Sequence, residues 1–378
     1  MNKIKRVLKI TGISLGGLIL LVVLVAMLFV NMSPEFGGAS SAEQQKRYAG
    51  SGHYKDGQFV NAIPTSLDMG FVKTMGIMYD FFFASIPNRE PDALLPLETL
   101  DSLEMVNAPN GLERLTWFGH SACLLEINGK KVFFDPMLGD TPAPHPWLGS
   151  KRYNPTLPLA IEKLPHLDAV VISHDHYDHL DYGSIVKLKD KVDRFYVPLG
   201  VAAHLVRWGV PSGSITELNW WEEHNVDGFT FICTPARHFS GRGLFDGFQT
   251  LWASWVIKTS NTSIYFSGDS GYGPHFKEIG EKYGPFDLTM LECGQYNERW
   301  TDIHMMPEET VQASADLKSK LLMPIHWGAF TLALHSWTDP VDRVTFTAHK
   351  LHIPITTPRL GEPVLLHQAE FPDDEWWK

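Results

Sequence analysis

The run Asp168-Ala169-Val170-Val171-Ile172-Ser173 passes without a break into His174-Asp175-His176-Tyr177-Asp178-His179. Its first half is a short apolar stretch rich in β-branched residues and reads as a buried strand. Its second half crowds three imidazoles and two carboxylates into six positions. These side chains therefore lie in the loop leaving the C-terminal end of a strand, where α/β folds carry their chemistry. In an extended or kinked segment, alternate residues face the same way. His174 and His176 can then grip one cation while Asp178 and His179 turn toward a second. The plain alternative is a polar loop whose histidines only cap and hydrogen-bond. A later series of ligand-type residues in similar contexts argues against it.

That series is His238 after the apolar stretch Phe229 to Cys233, Asp269 in Tyr265-Phe266-Ser267-Gly268-Asp269, and His326 in Met323-Pro324-Ile325-His326. H-x-H-x-D-H after a hydrophobic strand, followed by His, Asp and His from later loops, resembles the metallo-β-lactamase superfamily. Within it, the chain is most similar to the N-acylphosphatidylethanolamine-hydrolysing phospholipase D type and its bacterial relatives. The matching segments are Thr116-Trp117-Phe118-Gly119-His120-Ser121, Phe134-Asp135-Pro136, Asn219-Trp220-Trp221-Glu222, Arg237 to Arg242, and Ile303-His304-Met305-Met306-Pro307. The likeness spans roughly residues 110 to 365.

The resemblance implies that His174, His176 and His238 hold one metal, that Asp178, His179 and His326 hold another, and that Asp269 bridges them. Imidazole and carboxylate donors without thiolate suit Zn²⁺, with Fe or Mn as alternatives. Two such cations make hydroxide available at neutral pH and clamp the oxygens of an ester. Relatives that perform diiron redox chemistry typically carry a carboxylate where this chain has His176, so a hydrolase is expected.

Other residues carry weaker signals. His304 is a candidate substrate- or phosphate-facing histidine. Asp135, ending the strand Lys131 to Phe134, orients a ligand imidazole or simply forms an Asp-Pro turn. His120 is expected to be structural. Arg237 and Arg242 are candidate phosphate contacts, with a solvated pair or a carboxylate clamp as the default. His53, His204, His275 and His349 stand alone in the sequence and read as core or surface residues.

At the N-terminus, Lys3, Lys5, Arg6 and Lys9 precede a nearly uncharged run from Ile10 to Met32. About 20 apolar residues cross a bilayer's hydrocarbon. A cleaved secretory signal usually has an apolar core of only about 7–15 residues and a small-x-small site. Asn31-Met32-Ser33-Pro34-Glu35 offers no such site, so residues 1–32 are expected to be a single-pass anchor. The basic cluster keeps the N-terminus cytoplasmic and puts the rest on the far side, the periplasm if the host is a bacterium.

Residues 33–110 read as a spacer and leader that packs on the core. Its first part, 33–58, looks flexible. The segment Phe71 to Phe83 is apolar over most of a helical circumference, and is expected to cover the core. The sharper alternative is a bilayer-facing surface. Residues 111–378 form the hydrolase domain. Strands are expected at 114–118, 121–127, 131–134, 168–173, 194–197, 229–233, 252–258, 263–267, 287–291 and 321–325. Helices are expected near 182–190, 201–209, 275–283, 307–319 and 340–351. This order and the resemblance both point to an αββα sandwich.

The net charge of -11 argues against nucleic acid as substrate. Three cysteines without framework spacing predict no disulfide. Activity is expected on an amphipathic phosphodiester such as an N-acylated phospholipid, with Asp178, Asp269 and His304 as catalytic residues. A lactonase or other carboxylic-ester or amide hydrolase is the alternative. A β-lactamase, or a binding protein with a vestigial site, ranks below both. The sequence sets no oligomeric state.

Overall fold

In the computed structural model, which describes residues 3–66, 70–109 and 111–378, the strand before the histidine cluster is Leu167–Val171. Ala169 and Val171 enter one apolar cluster, while Val170 and Ile172 enter another. A strand with both faces covered needs an uninterrupted apolar run, which this segment supplies.

A short hairpin, β1 (Tyr54–Lys55) and β2 (Gln58–Phe59), precedes two large sheets. The first sheet contains β3 (Arg114–Trp117), β4 (Cys123–Ile127), β5 (Lys130–Phe134), β6 (Leu167–Val171), β7 (Val192–Pro198) and β8 (Ile215–Leu218). The second contains β9 (Glu223–Val226), β10 (Phe229–Thr234), β11 (Ser254–Lys258), β12 (Ser263–Phe266), β13 (Leu288–Glu292) and β14 (Leu322–Ile325). Finally β15 (Pro363–Leu365) returns to pair with β3, giving the orders 15-3-4-5-6-7-8 and 14-13-12-11-10-9. Strands β5 to β8 run parallel, as do β12 to β14, and the remaining neighbours are antiparallel. It follows that β3, β5 and β6 of one sheet end on a common edge, and so do β10, β12, β13 and β14 of the other.

The sheets meet through large side chains. Phe134 and Phe266 have ring centroids 5.0 Å apart, and Tyr196 stacks on Phe231 at 3.9 Å. The Trp255 indole donates across the interface to the Ile172 carbonyl at 2.9 Å. Fully burying one such ring contributes about 1.5–3 kcal/mol.

The helices are α1 (Lys3–Met32), α2 (Ala42–Ala49), α3 (Gly70–Phe83), α4 (Ser102–Val106), α5 (Tyr182–Leu188), α6 (Ala202–Arg207), α7 (His275–Lys282), α8 (Pro307–Asp316) and α9 (Asp339–Lys350). Ile185 and Leu188 of α5 and Leu205 of α6 cover the outer face of the first sheet. Phe276 and Ile279 of α7, Val311 of α8 and Val344 of α9 join the cluster built on the second. The result is the expected four-layer αββα sandwich.

One expectation for the leader is corrected. Residues 33–58 do not form a flexible spacer: Tyr48 and Phe59 are buried in the main core, and Ser41 and Gln44 make a capping box at the start of α2. Asp56-Gly57, both at positive φ, closes the hairpin between β1 and β2. Asp-Gly between strand-like residues is a strong hairpin signal, so this feature was present in the sequence. The expectation for Phe71 to Phe83 falls partly outside the described side chains. None of the described side chains of α3 is buried, and Tyr79 and Phe83 are 63% and 72% exposed. Its described contacts include Lys73 donating to the Arg299 carbonyl, Arg299 pairing with Asp80, and Arg89 donating to the Phe81 carbonyl and lying over its ring.

Candidate metal centre

Every sequence-predicted ligand follows a strand that ends on the shared edge. His174 to His179 follow β6, His238 follows β10, Asp269 follows β12 and His326 follows β14. Chain-distant residues thereby converge. One group contains His174, His176, His238 and Asp269, and a second contains His120, Asp178, His179 and His326. Within each group, ligand atoms lie within 4.8 Å of one another.

Asp269, a member of the first group, also reaches histidines of the second. Its Oδ2 lies 3.8 Å from His174 Nε2 and 3.7 Å from His238 Nε2. Its Oδ1 lies 3.1 Å from His179 Nε2 and contacts His326 Nδ1. In the first group His176 Nδ1 is 2.9 Å from His174 Nε2 and 3.2 Å from His238 Nε2.

Electrostatics follow from this crowding. Burial, joined by neighbouring imidazoles, holds His174 and His238 well below the ordinary histidine range. They are neutral and present lone pairs. Burial also acts to lower His326, but the Asp269 and Asp178 carboxylates outweigh it and raise it to about 9. Asp178 and Asp269 lose solvation on burial, yet the surrounding imidazoles hold both well below the usual carboxylate range.

The donor set fits divalent cations. Imidazole nitrogens converge with two ionised carboxylates and no thiolate, which is oxygen–nitrogen coordination chemistry. His179 Nε2 is buried, and its 3.1 Å contact with Asp269 Oδ1 is not aligned as a hydrogen bond, so coordination would satisfy it.

A supporting layer orients these groups. Asp135 accepts from His179 Nδ1 at 2.7 Å and from the Ser173 amide at 2.7 Å, so it is more than a turn residue. Fixing Nδ1 in this way points Nε2 at the cluster. His120, expected to be structural, lies 2.9 Å from Asp178 Oδ2 through Nε2. Its backbone also pairs with the His326 loop, through His326 N to His120 O and His120 N to Trp327 O. His304 stands between the groups, with its ring 5.0 Å from that of His238 and 5.4 Å from that of His326. Its Nδ1 is 3.2 Å from Glu292 Oε2, while Glu292 Oε1 accepts from the Met305 amide.

Arg237 pairs with a carboxylate, the default expected for it. Its guanidinium donates to Thr65, Pro64 and Tyr272 and pairs with Asp302 at 2.9 Å, so it clamps residues 64–65 rather than facing the cluster. Arg242 is likewise committed to backbone carbonyls. Nor does His204 stand alone: its Nε2 lies 3.3 Å from buried Asp175. Glu292 and the Asp175–His204 pair were missed because each partner is remote in sequence. The position of Glu292 at the C-terminal end of β13 was the available hint.

The family profile of the beta-lactamase superfamily domain matches residues 130–327. This chain belongs to the metallo-β-lactamase superfamily. An uncharacterized protein of Mycobacterium tuberculosis (strain ATCC 25618 / H37Rv) is 41% identical over 356 residues, covering 92% of each chain. The N-acyl-phosphatidylethanolamine-hydrolyzing phospholipase D 1 of Caenorhabditis elegans is 35% identical over 266 residues, covering 67% of this chain and 74% of that one. A solved metallo hydrolase from Ignicoccus hospitalis KIN4/I superposes with a TM-score of 0.52 at 21% identity, covering 68% of this chain and 99% of its own. The protein is a metal-dependent hydrolase of this superfamily.

Proposed function

We propose that the protein is a membrane-anchored phosphodiesterase with a binuclear, zinc-type centre, acting on N-acylated phospholipids or a similar amphipathic substrate. The observation that carries the reading is Asp269, whose two carboxylate oxygens address two separate histidine sets. The likeness to the nematode phospholipase supports the substrate class. Net charge of -11 disfavours polyanionic substrates.

A pair of divalent cations held by these residues would supply Lewis acidity and an activated water at neutral pH. The chain's own groups do the rest. Asp135 and Asp269 keep His179 aligned from opposite sides of its ring. Glu292 engages His304 Nδ1, which leaves Nε2 as the nitrogen that meets a phosphoryl oxygen. Asp178, ionised and steadied by His120, is the carboxylate assigned to accept the proton of the attacking water and pass it to the departing alkoxide.

The helix α1 has 30 residues, none of them buried, and extends about 45 Å at 1.5 Å per residue. It is long enough to span a bilayer, and Lys3, Lys5, Arg6 and Lys9 support the reading that its start lies on the cytoplasmic side. Anchoring raises the effective concentration of a lipid substrate at the site.

The test is to incubate metal-replete full-length protein with vesicles containing an N-acylated phosphatidylethanolamine and resolve the products by mass spectrometry. Phosphatidic acid with the N-acylated ethanolamine is expected. Free fatty acid with lysolipid would instead assign carboxylic-ester hydrolysis, and an unchanged lipid would overturn the substrate class.

A further inference from the structure

The segment that follows α1 is docked onto the back of the metal-ligand loop. The Asn31 carbonyl accepts from Arg207 at 3.1 Å, that of Pro34 from the Trp208 indole at 2.7 Å, and that of Glu35 from Arg242 Nε at 2.8 Å. The Gly38 amide donates to His204 Nδ1 at 3.0 Å. Rings continue the path: Phe29 meets Phe36 at 5.6 Å, and Phe36 meets Tyr177 at 6.5 Å. Tyr177 lies inside the ligand run itself.

Arg242 joins both sides. The guanidinium that holds Glu35 also donates to the carbonyls of Asp175 and Leu180, which bracket the ligands from His176 to His179, and it stacks on Tyr177 at 4.1 Å. Close approach of the chain requires glycine. A Cβ on Gly37, at φ +73°, would sit 2.0 Å from His204 Nδ1, and one on Gly38 would sit 2.2 Å from the Ala203 carbonyl. The end of α1 and the ligand loop are therefore one rigid body.

The same arginine begins a tight turn. Asp246 accepts from the amides of Arg242 and Gly243, and this turn thrusts Leu244 and Phe245 outward, 73% and 91% exposed. The tip is close to α1, because Val30, Asn31, Leu244 and Phe245 line a single cavity of about 280 Å³. We infer that the Leu244–Phe245 tip enters the bilayer beside the end of α1, so that lipid holds the metal-ligand loop at a fixed height above the membrane. This rests on the reading of α1 as a membrane span. An apolar pair at the level where a span leaves the hydrocarbon removes its surface from water only by entering the interface.

The experiment uses full-length Phe245→Cys carrying an environment-sensitive fluorophore, reconstituted in vesicles of phosphatidylethanolamine and phosphatidylglycerol with spin-labelled quencher lipid. Cys123, Cys233 and Cys293 are buried and stay unlabelled. Asp193→Cys, on an exposed side chain at the start of β7, is the control. A blue shift and loss of intensity at position 245 alone are expected. In Gly37→Ala, with the Phe245→Cys label in place, quenching should fall toward the control while the protein still floats with vesicles. A water-like signal at position 245 in floating protein overturns the inference and leaves the span reading intact. Protein that does not float overturns both. Full quenching in Gly37→Ala removes the rigid joint.

Discussion

Glu292 Oε2 lies 3.2 Å from His304 Nδ1, and the Glu292 side chain is wholly buried. Burial raises the carboxyl, while the facing imidazole works against that rise. The pair gives His304 one defined ring orientation. Glu292→Gln should preserve volume but lose the charged acceptor. We expect kcat to fall about 10–100-fold, the range typical of partners that orient active-site imidazoles. KM and bound metal should change little. Steady-state kinetics beside elemental analysis would check this, and an equal fall in metal content would assign Glu292 to metal retention instead.

Asp269→Asn should remove the group shared by both histidine sets. Turnover is expected to drop to background and metal stoichiometry to fall, while far-UV circular dichroism stays native. Chelation of the wild type should abolish activity, and added Zn²⁺ should restore it. Activity that survives both treatments would eliminate the metal mechanism.

Asp135 holds His179 and the Ser173 amide beside it. Its substitution by Asn keeps an acceptor oxygen but not the charge, so metal affinity should weaken about 10–100-fold. Competition with a chromophoric chelator reads that affinity directly. His179 should then titrate nearer to the ordinary histidine range, since one of the carboxylates that raise it is gone.

Stability should fall in acid through His275. Burial, aided by Arg237, lowers this imidazole from 6.5 to about 3. Between these values the unfolded chain binds a proton that the folded chain refuses, so stability is full above about 6.5 and declines as pH drops. One proton corresponds to about 1.4 kcal/mol per pH unit. Chemical denaturation of metal-free wild type and His275→Gln from pH 7 to 4 should show a shallower slope in the variant, by about one proton.

Much of the architecture was legible in the chain. Every strand expected between residues 114 and 325 forms, because both-face burial demands the long apolar runs seen in β5, β6, β10 and β13. The strands β8, β9 and β15 were missed: they are short, and β9 is an exposed edge whose Glu-His-Asn-Val sequence has no apolar periodicity. Their pairing partners, not their own composition, make them strands.

By itself, the sequence determined the family, the sandwich, the order of the candidate metal-binding side chains and the apolar first helix. Each of these is written in local patterns of burial and spacing. Only the tertiary structure decided what surrounds those ligands: Glu292 behind His304, Asp135 behind His179, and Arg242 between the ligand loop and the end of α1. Such partners are single polar residues separated by many positions, and no periodicity marks them. Their roles arise because burial leaves each polar group only the partners that the fold brings within reach.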